Sequence, residues 1–249
     1  MRALIDADMF LYRAAFAAEC EVRWDDDVFT LHSTFPELKD AFIDLVDSIK
    51  DELNPGSIEL CFSSRETFRH TMYPLYKANR VNKRSPLGIN DLREWAMETW
   101  LSHLWPDLEA DDILGILATE DPENTCIVSG DKDMGTLPVS WFNFMTGESR
   151  AITVEQAQFF HATQILSGDP TDGYSGLKGY GPKTSQKMLA KHGVSWSVIV
   201  DLYEKQGMTE DDALMTARLA YILQNDDYNR ETGRVKMWTP DLLVEQPPE

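Results

Sequence analysis

Apolar positions along the chain repeat with two periods, and the places where one gives way to the other mark the elements. The opening ALIDAD, residues 3–8, reads as a short buried strand that runs straight into acids. MFLYRAAFAAE follows with helical spacing. CEVRWDDDVFTLH alternates in the manner of a hairpin that turns at Asp25–Asp27. PELKDAFIDLVDSIKDELN sets Phe42, Leu45, Val46, Ile49 and Leu53 on one helical stripe, starts at Pro36 and stops at Asn-Pro-Gly. SIELCF is a second buried strand. Beyond a stretch broken by Pro74 and Pro86, the pattern predicts a helix over 89–105, another opening near Glu109, a third strand at TCIVSGD, a fourth at VSWFNFM and a helix at TVEQAQFFHATQIL. Strands that alternate with helices predict an α/β fold with a mostly parallel central sheet flanked by helices. From Ser167 the pattern changes to glycine-punctuated short helices, SWSVIVDLYEKQG and DDALMTARLAYILQN, with RVKMW the one strong strand signal. The expected division is a core at 1–166 and a smaller helical lobe at 167–249.

Charge sharpens this outline. A formal net charge of -19 argues against general nucleic-acid binding, because such affinity comes from Lys and Arg neutralising phosphates. The acidity is uneven, however. Arg65, Arg69, Lys77, Arg80, Lys83 and Arg84 face the single acid Glu66 between 65 and 84, a local balance of about +5. Cys20, Cys61 and Cys126 are far apart and form no CxxC pair, which suggests neither a disulfide framework nor a zinc site and fits a reducing cytoplasm. The first residues carry acids where a signal peptide needs an apolar run, and no stretch approaches the ~20 apolar residues of a membrane span.

The candidate chemistry lies in carboxylates at the carboxyl ends of predicted strands, where open α/β sheets bind ligands. Asp6 and Asp8 close the first strand, and Asp131 and Asp133 follow the third. Glu109 and Asp112 lie three apart at a helix start, with Asp111 about 100° round the helix. Asp169 and Asp172 sit where the lobe begins. Each pair alone is explained by helix caps and turns. Nine such groups in one crevice would repel and push one another's pKa values up unless cations sat between them. An all-oxygen donor set suits Mg²⁺ or Mn²⁺. Two such ions about 3.5–4 Å apart serve an in-line phosphodiester displacement.

The ordered motifs IDAD, FRHTMYPLYKANR, EADD, SGDKD and GDPTDGYSGLKGYGPKT resemble those of the 5′-nuclease superfamily, and YKANR, GDPTDGYSG and GMTEDDALMTARLAYILQNDDYN resemble in particular the short exonucleases of T-odd bacteriophages. The similarity spans residues 1 to about 240. It implies a PIN/5′-nuclease-like core with a helical arch over about 65–90 and a helix-three-turn-helix in the lobe. Asp6, Glu109, Asp111 and Asp112 match the first metal site of the family, and Asp131, Asp133, Asp169 and Asp172 the second; Asp8 matches less well. Lys77 and Arg80 match arch residues that contact the scissile phosphate, and Tyr76 an aromatic that stacks on a base. Arg69, Lys83 and Arg84 of the basic segment are expected on DNA. Lys178, Gly179, Gly181, Lys183, Thr184 and Lys187 would grip duplex backbone downstream of the cut, at a loop that in the family often holds K⁺.

One departure stands out: where the family has an aspartate after the second strand, this chain has Ser63 or Ser64, so the first metal is expected to be held more weakly. The resemblance implies a monomeric, two-metal 5′→3′ DNA exonuclease with flap-selective cutting, acting on DNA ends, duplexes and flaps and on RNA in hybrids, and a role in phage replication or host-DNA breakdown. The alternatives are an RNA-directed 5′-nuclease and a junction-binding protein that has lost catalysis. Trp95, Trp100 and Trp105 are expected to pack the core or brace the arch, and no histidine has a partner at metal-ligand spacing.

Overall fold

The computed structural model describes residues 1–80 and 83–248. The chain opens with β1 (Arg2–Asp6) and α1 (Ala7–Ala17), then a projecting antiparallel ribbon of β2 (Cys20–Asp25) and β3 (Val28–His32). Next come α2 (Phe35–Leu53), β4 (Ser57–Cys61), the one-turn α3 (Phe68–Met72), α4 (Ile89–Thr99), β5 (Leu101–His103) and α5 (Ala110–Glu120). The core is completed by β6 (Thr125–Val128), β7 (Ser140–Asn143), β8 (Glu148–Ala151) and α6 (Val154–Ser167). A two-residue pairing of β9 (Gly168–Asp169) with β10 (Tyr174–Ser175) leads into α7 (Pro182–His192), α8 (Trp196–Glu204), α9 (Glu210–Ala220) and the small β11 (Tyr228–Asn229) and β12 (Arg234–Val235).

Six strands form one sheet in the order β5-β4-β1-β6-β7-β8, parallel except for β8, which returns antiparallel along β7. In β1 the side chains alternate between two buried layers. Ala3 and Ile5 meet α1, α2 and α4 through Phe10, Phe42 and Leu92. Leu4 turns to α5 and its Ile113 and Leu117. Both faces are covered, which is why strands of a parallel sheet read as near-continuous apolar runs. The register pairs Asp6 with Cys61 and Ile5 with Val128, so the carboxyl ends of β4, β1 and β6 are level. That common edge places the site.

Several elements differ from the sequence pattern, β8 among them, since ESRA carries no strand signal and is extended by its pairing with β7. The helix predicted over 89–105 ends at Thr99, because Leu101–His103 pairs with the outer edge of β4 and His103 Nε2 meets Glu59 at 2.8 Å. RVKMW contributes only the two residues of β12. The segment 65–90, where an arch is expected, holds only short helical pieces among its described residues: α3, a 3₁₀ turn at Ala78–Arg80 and the first turn of α4, broken by Pro74, by Pro86 and by Lys77 at φ 53. Val81 and Asn82 of the expected arch lie outside the described residues.

The helical lobe has its own core. Ala162, Ile165 and Leu166 of α6 pack with Leu189, Ile199, Tyr203, Ala213 and Trp238. Gly168 and Gly176 cross backbone to backbone at the base of this lobe; a Cβ on Gly176 would come within 2.4 Å of Gly168 N and of Leu166 O.

Candidate active site

The acids are placed by local structure first. Asp6 ends β1 and caps α1, accepting from Met9 N at 3.2 Å, while Ser129 Oγ donates to its other oxygen at 2.9 Å. Asp8 lies in the first turn of α1. Glu109 caps α5 in a reciprocal box with Asp112, and Asp111 sits between them. Asp131 caps the 3₁₀ turn Lys132–Thr136 by accepting from Asp133 N at 2.9 Å. Asp169 and Asp172 share a tight turn in which Thr171 N donates to Asp169 Oδ1 at 2.7 Å.

The helix starts and strand ends thus bring Asp6, Asp8, Glu109, Asp111, Asp131 and Asp172 to one open cleft of about 870 Å³, faced by Lys77, Arg80 and Arg93. Asp133 and Asp169 stand together beside this cleft, not on its wall. Lys132 Nζ bridges them at 3.0 and 2.9 Å, and Gln164 Nε2 donates to Asp133 at 2.7 Å.

Crowding sets the electrostatics. Burial, then the charge of Asp8, raises the Asp6 carboxyl to about 7. Burial and the nearby Asp6 and Asp131 raise Asp111 well above the carboxylate range. Asp133 is raised to about 6 by burial and Asp131. Burial also opposes ionisation of Glu109, but Lys77 and Arg69 outweigh it and hold this carboxyl at about 2. The cleft therefore has one firmly ionised acid beside the cations and a group of acids short of positive charge.

The basic segment is folded onto these acids. Lys77 Nζ lies 2.5 Å from Glu109 Oε1 and 3.9 Å from Asp172 Oδ2, and Arg80 Nη2 lies 2.5 Å from Asp172 Oδ1. Four expected residues take other places. Tyr76 is 3% exposed and donates its hydroxyl to Glu109 at 2.9 Å, so its ring is not presented to a base. Arg69 is buried against Asp112 at 2.7 and 2.8 Å, and neither reaches the cleft; the pair is structural, not a DNA contact and a metal ligand. Arg84 is exposed but doubly bonded to Glu19. Lys83, Lys178, Gly179, Gly181, Lys183, Thr184 and Lys187 are exposed.

At the departure after β4, Ser63 Oγ accepts from Ala110 N at 2.9 Å, Ser63 N donates to Asp8 Oδ2 at 2.9 Å, and Ser64 Oγ donates to Trp105 O at 2.7 Å. Both serines line the cleft, and the Ser63 hydroxyl also bonds the Asp8 carboxylate. The sequence reading did not assign Arg93, Lys132, Gln164 or Ser129. Lys132 carried a signal, a cation between two acids in SGDKD; Arg93 and Gln164 carried none, since helix periodicity does not show which polar residue turns inward. Trp95 and Trp100 brace the core against Phe42, and Trp105 stacks on Tyr228.

Among the described residues, no three His, Cys, Asp or Glu side chains stand in a ready-made metal cage. The donors still fit a small hard cation. All are oxygens, Asp6 and Asp111 are held protonation-prone by burial and then by neighbouring acids, and the buried Gln164 Oε1 beside Asp133 has no hydrogen-bond partner.

A mostly parallel α/β sheet with acids along its carboxyl edge and a cationic segment across them suits the metal-assisted phosphodiester-cleaving class of protein. Residues 1–164 match the family model described as "5'-3' exonuclease, N-terminal resolvase-like domain". The chain belongs to this 5′-3′ exonuclease family. It is 27% identical to the exonuclease of Escherichia phage T7 over 278 aligned positions, covering 95% of this chain and 93% of that protein. In fold it is similar to the bacteriophage T5 5′-exonuclease with bound zinc, at TM-score 0.63 and 17% identity, with 88% of this chain and 89% of that chain covered. A bacteriophage T5 flap endonuclease in a pseudo-enzyme-product complex with DNA and metal ions is similar at TM-score 0.63 and 15% identity, covering 88% of each chain.

Proposed function

We propose that the chain is a divalent-metal-dependent 5′→3′ DNA exonuclease with flap-selective endonuclease activity. The observation that carries this reading is the cleft itself, with six carboxylates facing Lys77, Arg80 and Arg93 on the carboxyl edge of the sheet. Asp6, Asp8, Glu109 and Asp111 would hold one Mg²⁺ or Mn²⁺, and Asp131, Asp133, Asp169 and Asp172 a second. Such ions, when bound, supply Lewis acidity and a more acidic water.

The chain's own residues do the remaining work. The incoming phosphate takes Lys77 and Arg80 from Glu109 and Asp172, and the two cations neutralise charge on its oxygens. The freed carboxylates of Glu109 and Asp172 would then be available to the metal ions. Ser63 and Ser64 supply no carboxylate after β4, so the first ion would be held more weakly than the second. Residues 1–166 form the catalytic core and 167–249 a DNA-binding lobe, where Lys178, Lys183, Thr184 and Lys187 grip duplex backbone. Gly179 and Gly181 have no atom within 4 Å of a built Cβ, which leaves the room that a phosphate or K⁺ needs at this turn. The protein works as a monomer in the host cytoplasm.

The deciding experiment incubates the protein with 5′-labelled flap, nicked and blunt duplexes, with Mg²⁺, Mn²⁺ or EDTA, and with RNA and RNA–DNA hybrid controls. Cleavage of DNA ends that EDTA stops and Asp131→Ala abolishes is expected. Binding without cleavage in both metals would overturn the enzyme reading in favour of a junction-binding protein.

A further inference from the structure

The cations Lys77 and Arg80 come from one segment and the acids Asp169 and Asp172 from another, 92 residues further on in the case of Arg80 and Asp172. Their spacing is set by something other than the ion pairs, because those must open to admit a phosphate. Four features fix it. Lys77 N donates to Asp172 O at 2.8 Å. Asn79 Nδ2 donates to Pro170 O at 3.0 Å and to Thr171 O at 3.3 Å. Lys77 is held at φ 53, in the left-handed region, a conformation that costs a lysine about 1 kcal/mol and persists only where neighbours enforce it. Gly173, at φ +79, lets Leu75 O come so close that a Cβ there would lie 2.8 Å from it.

Resting on the nuclease reading above, we propose that Asn79 and Gly173 are positioning residues of a clasp between the segment 75–80 and the turn 169–173, and that this clasp sets where along the strand the cut falls. The bonds of Asn79 run to main-chain carbonyls and not to any charged group, so they survive when Lys77 and Arg80 release their carboxylates. The backbone of the basic segment then stays fixed while its two side chains move to substrate. A strand whose phosphate rests on Lys77 and Arg80 is thereby held at one distance from the acids around Asp172. Loss of the clasp lets neighbouring phosphates compete for the same place, since misplacement of about 1 Å lowers a rate by up to about a hundredfold.

The test uses the full-length chain as Asn79→Ala and Gly173→Ala. Product lengths are read from a 5′-flap substrate labelled at its 3′ end, and amide exchange is followed over residues 75–80. Both variants are expected to spread cleavage over adjacent phosphodiesters, to lower kcat by about tenfold with KM changed by less than about threefold, and to speed exchange at Lys77 N, while the melting temperature of Asn79→Ala stays within a few degrees. Asn79→Asp places a carboxylate against two carbonyls, and its cut positions should spread further than those of Asn79→Ala. Product lengths identical to wild type in all three variants would overturn the proposal, as would unchanged exchange at Lys77. Gly173→Ala carries backbone strain, so should it fail to fold, the two Asn79 variants decide alone. A wild-type protein that protects residues 75–80 from exchange yet cuts no DNA in Mg²⁺ or Mn²⁺ would overturn the nuclease reading instead, and the register role with it.

Discussion

Arg69 and Asp112 face each other in a two-pronged ion pair with both side chains sealed from solvent. The same guanidinium donates to the carbonyls of Leu219 and Tyr221, and Asp112 accepts from Leu223 N at 3.2 Å, so the pair ties α3 and α5 to the chain that follows α9. Removing one partner strands a buried charge. Arg69→Ala should cost about 3–5 kcal/mol in urea unfolding, while the salt dependence of DNA binding stays as in wild type. A shallower salt slope with full stability would return Arg69 to the DNA.

Lys77 is expected to act on rate. Lys77→Ala should lower kcat on the order of a hundredfold and leave the fold intact by circular dichroism. Lys183→Ala and Lys187→Ala, on the exposed start of α7, should instead weaken duplex binding and each reduce its salt slope by about one. A Lys77→Ala enzyme with near-normal kcat would remove the lysine from the reacting phosphate.

Asp6 predicts an unusual pH response in EDTA-treated protein. Its carboxyl holds a proton up to about 7 when folded but only to 3.8 when unfolded, so the native state binds the extra proton and stability falls as pH rises through that window. Asp6→Asn should remove this slope: the variant gains on wild type by up to a few kcal/mol at pH 8, and the gap closes below about pH 4. Added Mn²⁺ should stabilise wild type at pH 8 far more than Asp6→Asn. Parallel stability curves for the two proteins in EDTA would show that Asp6 ionises without cost.

His161 has the opposite sign. It is buried with Nε2 on Ala217 O at 2.9 Å, and burial lowers it from 6.5 to about 4. The unfolded chain takes up the proton first, so this contribution is whole above pH 6.5 and is lost as pH falls through about 4. His161→Phe should flatten acid unfolding between those values in a urea series run at successive pH; an unchanged slope would mean that the imidazole is reached by water.

Gly176 tests the base of the lobe. Gly176→Ala meets two backbone atoms at 2.4 Å, neither of which can swing away, and should cost about 3 kcal/mol. Gly176 is not at positive φ, so its cost is steric alone; Gly207→Ala, at φ +76 in open space, shows by contrast what backbone strain costs without a clash.

The strands and their acids were legible in the sequence because burial on both faces writes an apolar run and the turn that follows writes a polar one. Asp6, Asp8 and Asp131 could thus be placed on one edge from the sequence, whereas Asp172, at the start of the lobe, was tied to them only by the family motif. Leu101–His103 was not legible: its residues carry no strand pattern, and it is extended only because the edge of β4 offers partners. Nor could the sequence separate Glu109 from Asp112, which share a helix turn; the difference lies in Arg69, 43 residues from Asp112. The same holds for Tyr76, whose position beside two cations gave no sign that its hydroxyl is buried on a carboxylate.

The place of β1 between β4 and β6 has a consequence for synthesis. The first strand emerges from the ribosome with neither neighbour yet made, and its second flank arrives only with Thr125–Val128. Such long-range parallel pairing is slow to form. Asp6 therefore meets Ser129 only after more than half of the polypeptide has been translated, and Asp172 comes later still, so the cleft is assembled late in the growth of the chain.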